Sequence, residues 1–388
     1  MTRIEIPEGS LFGIENLPYG VFSTPGTDPR VGVRVADQVV DLAVLLGDDV
    51  FANDTLNPFM AQGPQRWASV RAQIQEKLRG DVPAEAVHDL AAVTMHLPIK
   101  VGDYVDFYCS EHHATNLGRI FRPEQEPLTP NWRWLPIGYH GRSQTVVLSG
   151  TDIRRPVGQR RGEGRPEFGP EVRLDIECEL AYIVGTGSKL GDRISTDEFD
   201  EHVFGMAIFN DWSARAIQAW EYVPLGPHLG KSFASTLSAW ITPMLALTAA
   251  RVATPEQGDQ IEYLAMEEPW GLDIALEVEL NGEVVSRPPY KETFWSPAQM
   301  LAQLTVNGAS ASTGDFFASG TISGVEKDTR GAFIEITWNG TDPIEVGGET
   351  RTFLEDGDEV VITGSAPGPD GTRIGFSECR GRILPAQL

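Results

Sequence analysis

Hydrophobic and polar positions alternate in short runs along the first 95 residues. VGVRVADQVVDLAVLL (31–46) has a period of two, interrupted by a turn at Ala36-Asp37, and predicts paired strands. One segment switches to the helical period. Trp67, Val70, Ile74 and Leu78 recur at spacings of three and four, which predicts a helix over Gln65–Arg79 with Gly80 as its stop. A polar, proline-containing stretch near 81–85 and the segment AAVTMHLPIK (91–100) mark a crossing into a second domain, dividing the chain into 1–95 and 96–388.

Beyond that crossing strand signals dominate. EVRLDIECELAYIVG (171–185) alternates strictly: Leu174, Ile176, Cys178, Leu180, Tyr182 and Val184 share one face, and Arg173, Asp175, Glu177 and Glu179 the other. LDIALEVELNGEVV (272–285) alternates around an Asn281-Gly282 hairpin turn, and FIEITWNG (333–340) and FLEDGDEVVITG (353–364) also read as strands. Short helices are expected to start at Ser110, Asp211 and Ser296-Pro297, and RRPVGQRRGEGRPEFGP (154–170) reads as a loop. The expected fold is mainly β with short helices: a small N-terminal SH3-like barrel domain and a large C-terminal β-roll.

Composition supports this outline. The 388 residues include 40 Gly and 27 Pro, which favours many short strands and turns. The formal net charge of −24 repels nucleic acid and anionic membrane, so neither is an expected partner. It also repels an anionic substrate, so an acid-binding site in this chain needs local cations or a metal. Cys109, Cys178 and Cys379 lie far apart with no CxxC pair, which argues against a disulfide framework and a zinc–thiolate site. The start MTRIEIPEGS lacks the pattern of a signal peptide, and no apolar stretch of about 20 residues is present to span a bilayer. A cytoplasmic protein is expected.

Three stretches carry candidate chemistry. Side chains at i and i+2 on a strand point the same way, roughly 6.5–7 Å apart, so Glu177 and Glu179 are placed to grip one hard cation such as Mg²⁺ or Ca²⁺. Glu277 and Glu279 show the same spacing, and periodicity alone reads both pairs as solvated acidic faces. In FNDWSARAIQAWEY (209–222), Asp211, Arg215, Gln218 and Tyr222 recur at 4, 3 and 4, one polar stripe on a helix, with Trp212 and Trp220 flanking it. A polar stripe on a buried helix needs partners, and a ligand supplies them. In DYVDFYCSEHHATNLG (103–118), Asp106, Tyr108 and the histidines His112 and His113 of a Ser110-capped helix form a plausible site edge.

Taken in order, these segments resemble the fumarylacetoacetase family over nearly the whole chain. The resemblance rests on ENLPYGVFST (15–24), TMHLP (94–98), GDYVDFY (102–108), HATN (113–116), LPIGYHGR (135–142), IRRPVGQ (153–159), LDIECEL (174–180), NDWSAR (210–215), WEYVPLGP (220–227), LGKSF (229–233), ASGTISG (318–324) and RTFLEDGDEV (351–360). ENLPYGVFST favours the hydrolase branch over the shorter decarboxylases, isomerases and hydratases that share only the catalytic domain.

The resemblance implies metal ligands at Asp106, Glu177, Glu179 and Asp211, which breaks the tie between the two acidic strands. It implies a general base at His113 oriented by Glu335. It puts oxyanion-stabilising groups at Arg215, Gln218 and Lys231, and substrate contacts at Tyr108, Arg122, Tyr139, Gln218, Tyr222 and Thr321. A secondary cation is implied near Lys231 and Ser235, the latter standing where the family usually has Thr. The implied cofactor is Ca²⁺ or Mg²⁺, and the implied assembly a homodimer. The implied reaction is hydrolysis of the carbon–carbon bond of 4-fumarylacetoacetate, a small β-diketo acid, to fumarate and acetoacetate, the last step of phenylalanine and tyrosine breakdown.

Two other readings stand beside it. A decarboxylase or hydratase on the same scaffold would need no water-activating His113–Glu335 pair. A catalytically dead binding protein would have lost that pair, and this chain has both residues.

Overall fold

A computed structural model of the chain describes all residues from Met1 to Leu388. Its framework is a 13-stranded sheet built largely on Cys178–Val184 and its antiparallel neighbour Val203–Asn210. Every residue of both strands is buried. The period of two serves two cores. Leu180, Tyr182, Met206 and Ile208 enter the larger one, whereas Ala181, Ile183, Ala207 and Phe209 enter a second one shared with the N-terminal segment. Burying apolar side chains on both faces makes these strands the most constrained part of the molecule.

The N-terminal strands extend this sheet. Arg30–Val35 and Gln38–Asp41 pair as the alternation predicts, around a turn in which Ala36 has φ +50°. The period does not continue to residue 46, because Asp41 caps a helix over Leu42–Leu46 by accepting from the Val44 N–H. Tyr19–Ser23 pairs with Arg30–Val35 on one edge and with Trp240–Pro243 and Thr94–His96 on the other. Those outward pairings replace the expected closed SH3-like barrel, and none of the sheets closes on itself. The helix Pro64–Leu78 buries Trp67, Val70, Ile74 and Leu78, the stripe read from the sequence.

A second, five-stranded sheet contains Ala275–Leu280, Glu359–Pro367 and Arg373–Leu384 and packs on the other face of the central one. Ser296 caps the helix Pro297–Thr305 with a full capping box, as Ser-Pro at its start predicts.

Five local expectations need correction. Residues 333–340 form a helical turn over Phe333–Ile336, followed by Trp338 and Asn339 at positive φ, and not a strand. Residues 171–185 are not one strand: Leu174–Asp175 pairs with Ser213–Ala214, and only Cys178–Val184 joins the central sheet. The stretch 154–170 holds a two-stranded hairpin, Val157–Arg160 with Glu167–Pro170, and the last strand of 353–364 begins only at Glu359. The helix expected from Asp211 begins at Arg215, because Ser213 and Ala214 are taken up in strand pairing.

Candidate active site

The central sheet delivers four carboxylates to one point. Asp106 lies on Tyr104–Phe107, between the parallel strand Phe316–Ala318 and the antiparallel Gly138–His140, which sets Tyr139 opposite it. Glu179 is the second residue of Cys178–Val184, and Glu177 immediately precedes that strand. Asp211 follows the end of Val203–Asn210, and its N–H donates to the Glu177 carbonyl at 3.2 Å. One oxygen from each of Asp106, Glu177, Glu179 and Asp211 lies within 4.8 Å of the others, and all four residues are buried.

Like charges this close require compensation. Lys231, buried, forms an ion pair with Glu177 and another with Asp211 Oδ2 at 2.9 Å. The Tyr139 hydroxyl lies 2.8 Å from Asp106 Oδ2 and 2.9 Å from Asp211 Oδ2; with one proton it can donate to only one of them at a time. Ser235 Oγ donates to Asp211 Oδ1 at 2.8 Å. Burial works against the charged form of Lys231, but Asp211 and Glu177 outweigh it and raise its pKa. For Glu177, burial pushes up and the Lys231 and Arg215 cations pull down harder, leaving it below the usual carboxylate range. Asp106 and Glu179 are driven well up, first by burial and then by neighbouring carboxylates.

The compensation is incomplete. Asp106 Oδ1 and Glu179 Oε1 are buried acceptors without a hydrogen-bond partner. Orphaned carboxylate oxygens in an all-oxygen cluster suit a hard divalent cation. Lys231 as an ammonium has no lone pair to offer, so any ligation from it falls to its main-chain carbonyl.

A second device faces the same space. Ser110 caps the helix Glu111–Phe121 by accepting from the His113 N–H, which fixes His113 in the first turn. His113 Nδ1 meets Glu335 Oε2 at 2.6 Å. Glu335 also accepts from Asn116 Nδ2 at 2.9 Å and Ser323 Oγ at 2.9 Å. Burial pushes the Glu335 pKa up, but His113, Asn116 and Ser323 outweigh it and hold the carboxylate low. An ionised Glu335 fixes the Nδ1–H tautomer and leaves Nε2 as the basic atom.

Arg215 supplies the third group. Its Nε donates to Asp175 Oδ2 at 2.8 Å and Nη1 to Glu177 Oε1 at 2.8 Å and Gln218 Oε1 at 3.1 Å; Nη2 is buried without a partner. Thr321 Oγ1 is likewise buried and unpartnered.

A cavity of about 420 Å³ joins these groups. Asp106, Glu177, Lys231, His113, Arg215 and Gln218 line it, together with Tyr108, Arg122, Tyr139, Tyr222 and Thr321. Glu179, Asp211, Ser235 and Glu335 stand behind these, each bonded to or clustered with a lining residue. A larger cleft of about 920 Å³ between Leu11-Phe12 and Ala275–Leu280 lacks such convergence, and two of its charged groups, Glu277 and Arg287, pair with each other.

Two family models match the chain. The model described as fumarylacetoacetate hydrolase C-terminal matches residues 103–383, and that described as fumarylacetoacetase N-terminal matches residues 15–98. The chain belongs to the fumarylacetoacetase family. It is 47% identical to a fumarylacetoacetase of Bos taurus over 100% of this chain and 99% of that protein. It is 46% identical to that of Homo sapiens, with 100% of each covered. Among solved structures, a fumarylacetoacetate hydrolase from the psychrophile Exiguobacterium antarcticum superposes with a TM-score of 0.60 at 18% identity, covering 96% of this chain and 100% of that one. At that identity the likeness speaks for the fold.

Within this fumarylacetoacetase-family site, the polar stripe read from 211–222 is partly redrawn. Arg215 and Gln218 lie on the helix Arg215–Glu221 and Tyr222 caps it, but Asp211 reaches the cluster from a strand end. Trp212 is fully buried, whereas Trp220 is 39% exposed. Sequence reasoning passed over Asn116, Ser323 and Asp175 as chemical groups. Asn116 and Ser323 sit inside the HATN and ASGTISG segments, and Asp175 shares the alternating face of Glu177 and Glu179.

Proposed function

We propose that the protein hydrolyses the carbon–carbon bond of 4-fumarylacetoacetate to fumarate and acetoacetate. The observation that carries this reading is the buried His113–Glu335 pair facing the same cavity as the four-carboxylate cluster. A scaffold used only for decarboxylation adds no water and has no need of a positioned base for it.

Asp106, Glu177, Glu179 and Asp211 would hold a divalent cation, Ca²⁺ or Mg²⁺. When bound, it supplies Lewis-acid polarisation of the substrate's diketone oxygens. The chain's own residues do the rest. His113 Nε2 takes a proton from water while Glu335 holds Nδ1. The water oxygen forms a bond to the carbonyl carbon on the fumaryl side. Arg215 Nη2, without a protein partner, donates to the oxyanion that develops, and Gln218 and Lys231 assist. The carbon–carbon bond then breaks with its electron pair going to the acetoacetate fragment, which takes the proton back from His113. Arg122, Tyr108, Tyr222 and Thr321 bind and orient the diketo acid in the cavity, and Tyr139 steadies the acid cluster from the same side. Arg122 and Lys231 answer the repulsion that a net charge of −24 imposes on an anionic substrate.

The same reading takes the protein as a cytoplasmic homodimer serving phenylalanine and tyrosine degradation. It assigns residues 1–95 to a small N-terminal domain and 96–388 to a β-roll catalytic domain, with a secondary cation beside Lys231 and Ser235.

The test is the loss of diketone absorbance with fumarylacetoacetate, with added Mg²⁺ or Ca²⁺ and again with chelator, for wild type and His113→Ala. Cation-dependent turnover that collapses in the variant is expected. Full activity of His113→Ala would remove the hydrolase mechanism.

A further inference from the structure

Asp175 is a fully buried carboxylate with no role in the chemistry described above. Its two oxygens accept four hydrogen bonds. Oδ1 takes the N–H groups of Ile176 at 2.8 Å and Phe333 at 2.7 Å. Oδ2 takes the N–H of Ile334 at 3.1 Å and Nε of Arg215 at 2.8 Å. Those donors belong to two separate parts of the site. Phe333 and Ile334 open the short turn that carries Glu335, and Arg215, whose Nη2 has no protein partner, lines the cavity. Arg215 is thereby held between two carboxylates, Asp175 on Nε and Glu177 on Nη1, which fixes the plane of its guanidinium.

We infer that Asp175 is a positioning residue that sets the oxyanion donor Arg215 and the Glu335-bearing turn in one geometry through a single buried carboxylate. This rests on the hydrolase reading given above. Asp175 touches neither the cavity nor the four-carboxylate cluster directly, so its influence passes through Arg215 and Glu335. A neutral isostere cannot replace it. All four bonds are donated to Asp175, and an Asn amide would turn its own N–H₂ against two of those donors whichever way it lies.

The experiment compares wild type, Asp175→Asn and Asp175→Glu, each cation-loaded, by steady-state turnover of fumarylacetoacetate across pH. In Asp175→Asn, kcat per loaded site is expected to fall on the order of 10²–10³-fold, the usual cost of losing an oxyanion donor. KM should move little, the thermal shift on adding cation should persist, and the pH limb of kcat/KM that reports the base should be displaced. Asp175→Glu keeps the charge and should recover part of kcat. Turnover per loaded site near that of wild type, with a superimposable pH profile, would overturn the inference while leaving the hydrolase reading intact. Absence of wild-type turnover in the same assay would instead remove that reading and this inference with it. If Asp175→Asn does not fold, Arg215→Ala decides. The Asp175–Glu177 cradle should let free guanidinium ion restore activity to that variant where methylammonium does not, and equal or absent rescue by the two ions would overturn the inference.

Discussion

His113 Nδ1 lies 2.6 Å from Glu335 Oε2, a contact between residues 222 positions apart in the chain. Three donors converge on the two oxygens of Glu335: His113 and Ser323 on Oε2, Asn116 on Oε1. An ionised carboxylate accepts all three while offering no proton of its own. Glu335→Gln has one acceptor oxygen, so its amide N–H₂ must face a donor and the imidazole loses its fixed tautomer. A kcat lower by on the order of 10²–10⁴ is expected, the contribution typical of a positioned base. Cation-induced thermal stabilisation should be retained, because Glu335 lies outside the acid cluster. Loss of the thermal shift along with kcat would mean that the substitution disturbs the whole site and not the base alone.

The acid cluster makes stability and cation affinity depend on pH, and the sign follows from the direction of each shift. Burial, then a neighbouring carboxylate, raises Asp106 well above 3.8 and Glu179 well above 4.5. A carboxyl whose folded pKa is raised contributes stability below its unfolded pKa and loses it as pH climbs through the folded one. The cation-free protein should therefore weaken as pH rises above the ordinary carboxylate range. Glu177 runs the other way; its folded pKa is depressed, so its contribution is present above 4.5 and is lost progressively as pH falls below that value. Binding a divalent cation expels the protons from Asp106 and Glu179 and removes their repulsion. The gain in Tm on adding cation should be larger at about pH 8 than at about pH 5.5. Calorimetry in buffers of different ionisation enthalpy should record proton release on binding at mildly acidic pH. Proton uptake, or no exchange at all, would contradict the assigned directions.

Much of this site was legible in the sequence, for reasons that differ residue by residue. Glu177 and Glu179 were visible as an i, i+2 pair, but Glu277 and Glu279 showed the same pattern, and only the family resemblance separated them. The structure gives the physical difference. Glu179 lies on a strand buried on both faces, whereas Glu277 is half-buried and paired with Arg287 at 3.0 Å. The resemblance assigns Glu335, whereas the local pattern predicts a strand and the structure holds a helical turn. Phe333, Ile334, Ile336 and Thr337 are the bulky and branched types that favour strands, yet Asp175, 158 positions away from Phe333, caps that segment into a helical turn. Propensity carries no information about a partner so distant in the chain. The same limit hid Asn116 and Ser323, whose importance lies entirely in what they touch.

Gly320 lies in the left-handed region at φ +73°, and its N–H donates to Glu179 Oε2 at 3.1 Å. A Cβ there would lie 2.1 Å from the Phe107 carbonyl oxygen, in the strand end that follows Asp106. Gly320→Ala must move backbone that positions one carboxylate and disturb the hydrogen bond that orients another. A stability loss of about 3 kcal/mol or more is expected, combining a disfavoured φ with a backbone clash. Denaturant titration checks the stability, and cation titration should show weaker binding in whatever fraction remains folded. A wild-type denaturation midpoint would show that the segment Ala318–Gly324 yields more readily than its burial suggests.

Tyr139 distinguishes a residue of the metal centre from a residue of the substrate pocket. Its ring lines the cavity, but its hydroxyl lies within hydrogen-bond distance of Asp106 and Asp211. Tyr139→Phe removes that hydroxyl and little else, since burial of the ring is kept. If the hydroxyl chiefly orients the carboxylates, the dissociation constant for Mg²⁺ or Ca²⁺ should rise about 10–100-fold, the cost typical of losing an outer partner of a metal ligand. Activity should then return at high cation concentration with KM for the diketo acid near that of wild type. If the hydroxyl instead meets the substrate, cation affinity should hold and KM should rise at every cation concentration. The distances to Asp106 and Asp211 favour the first outcome. Titrating cation at fixed substrate, then substrate at saturating cation, separates the two.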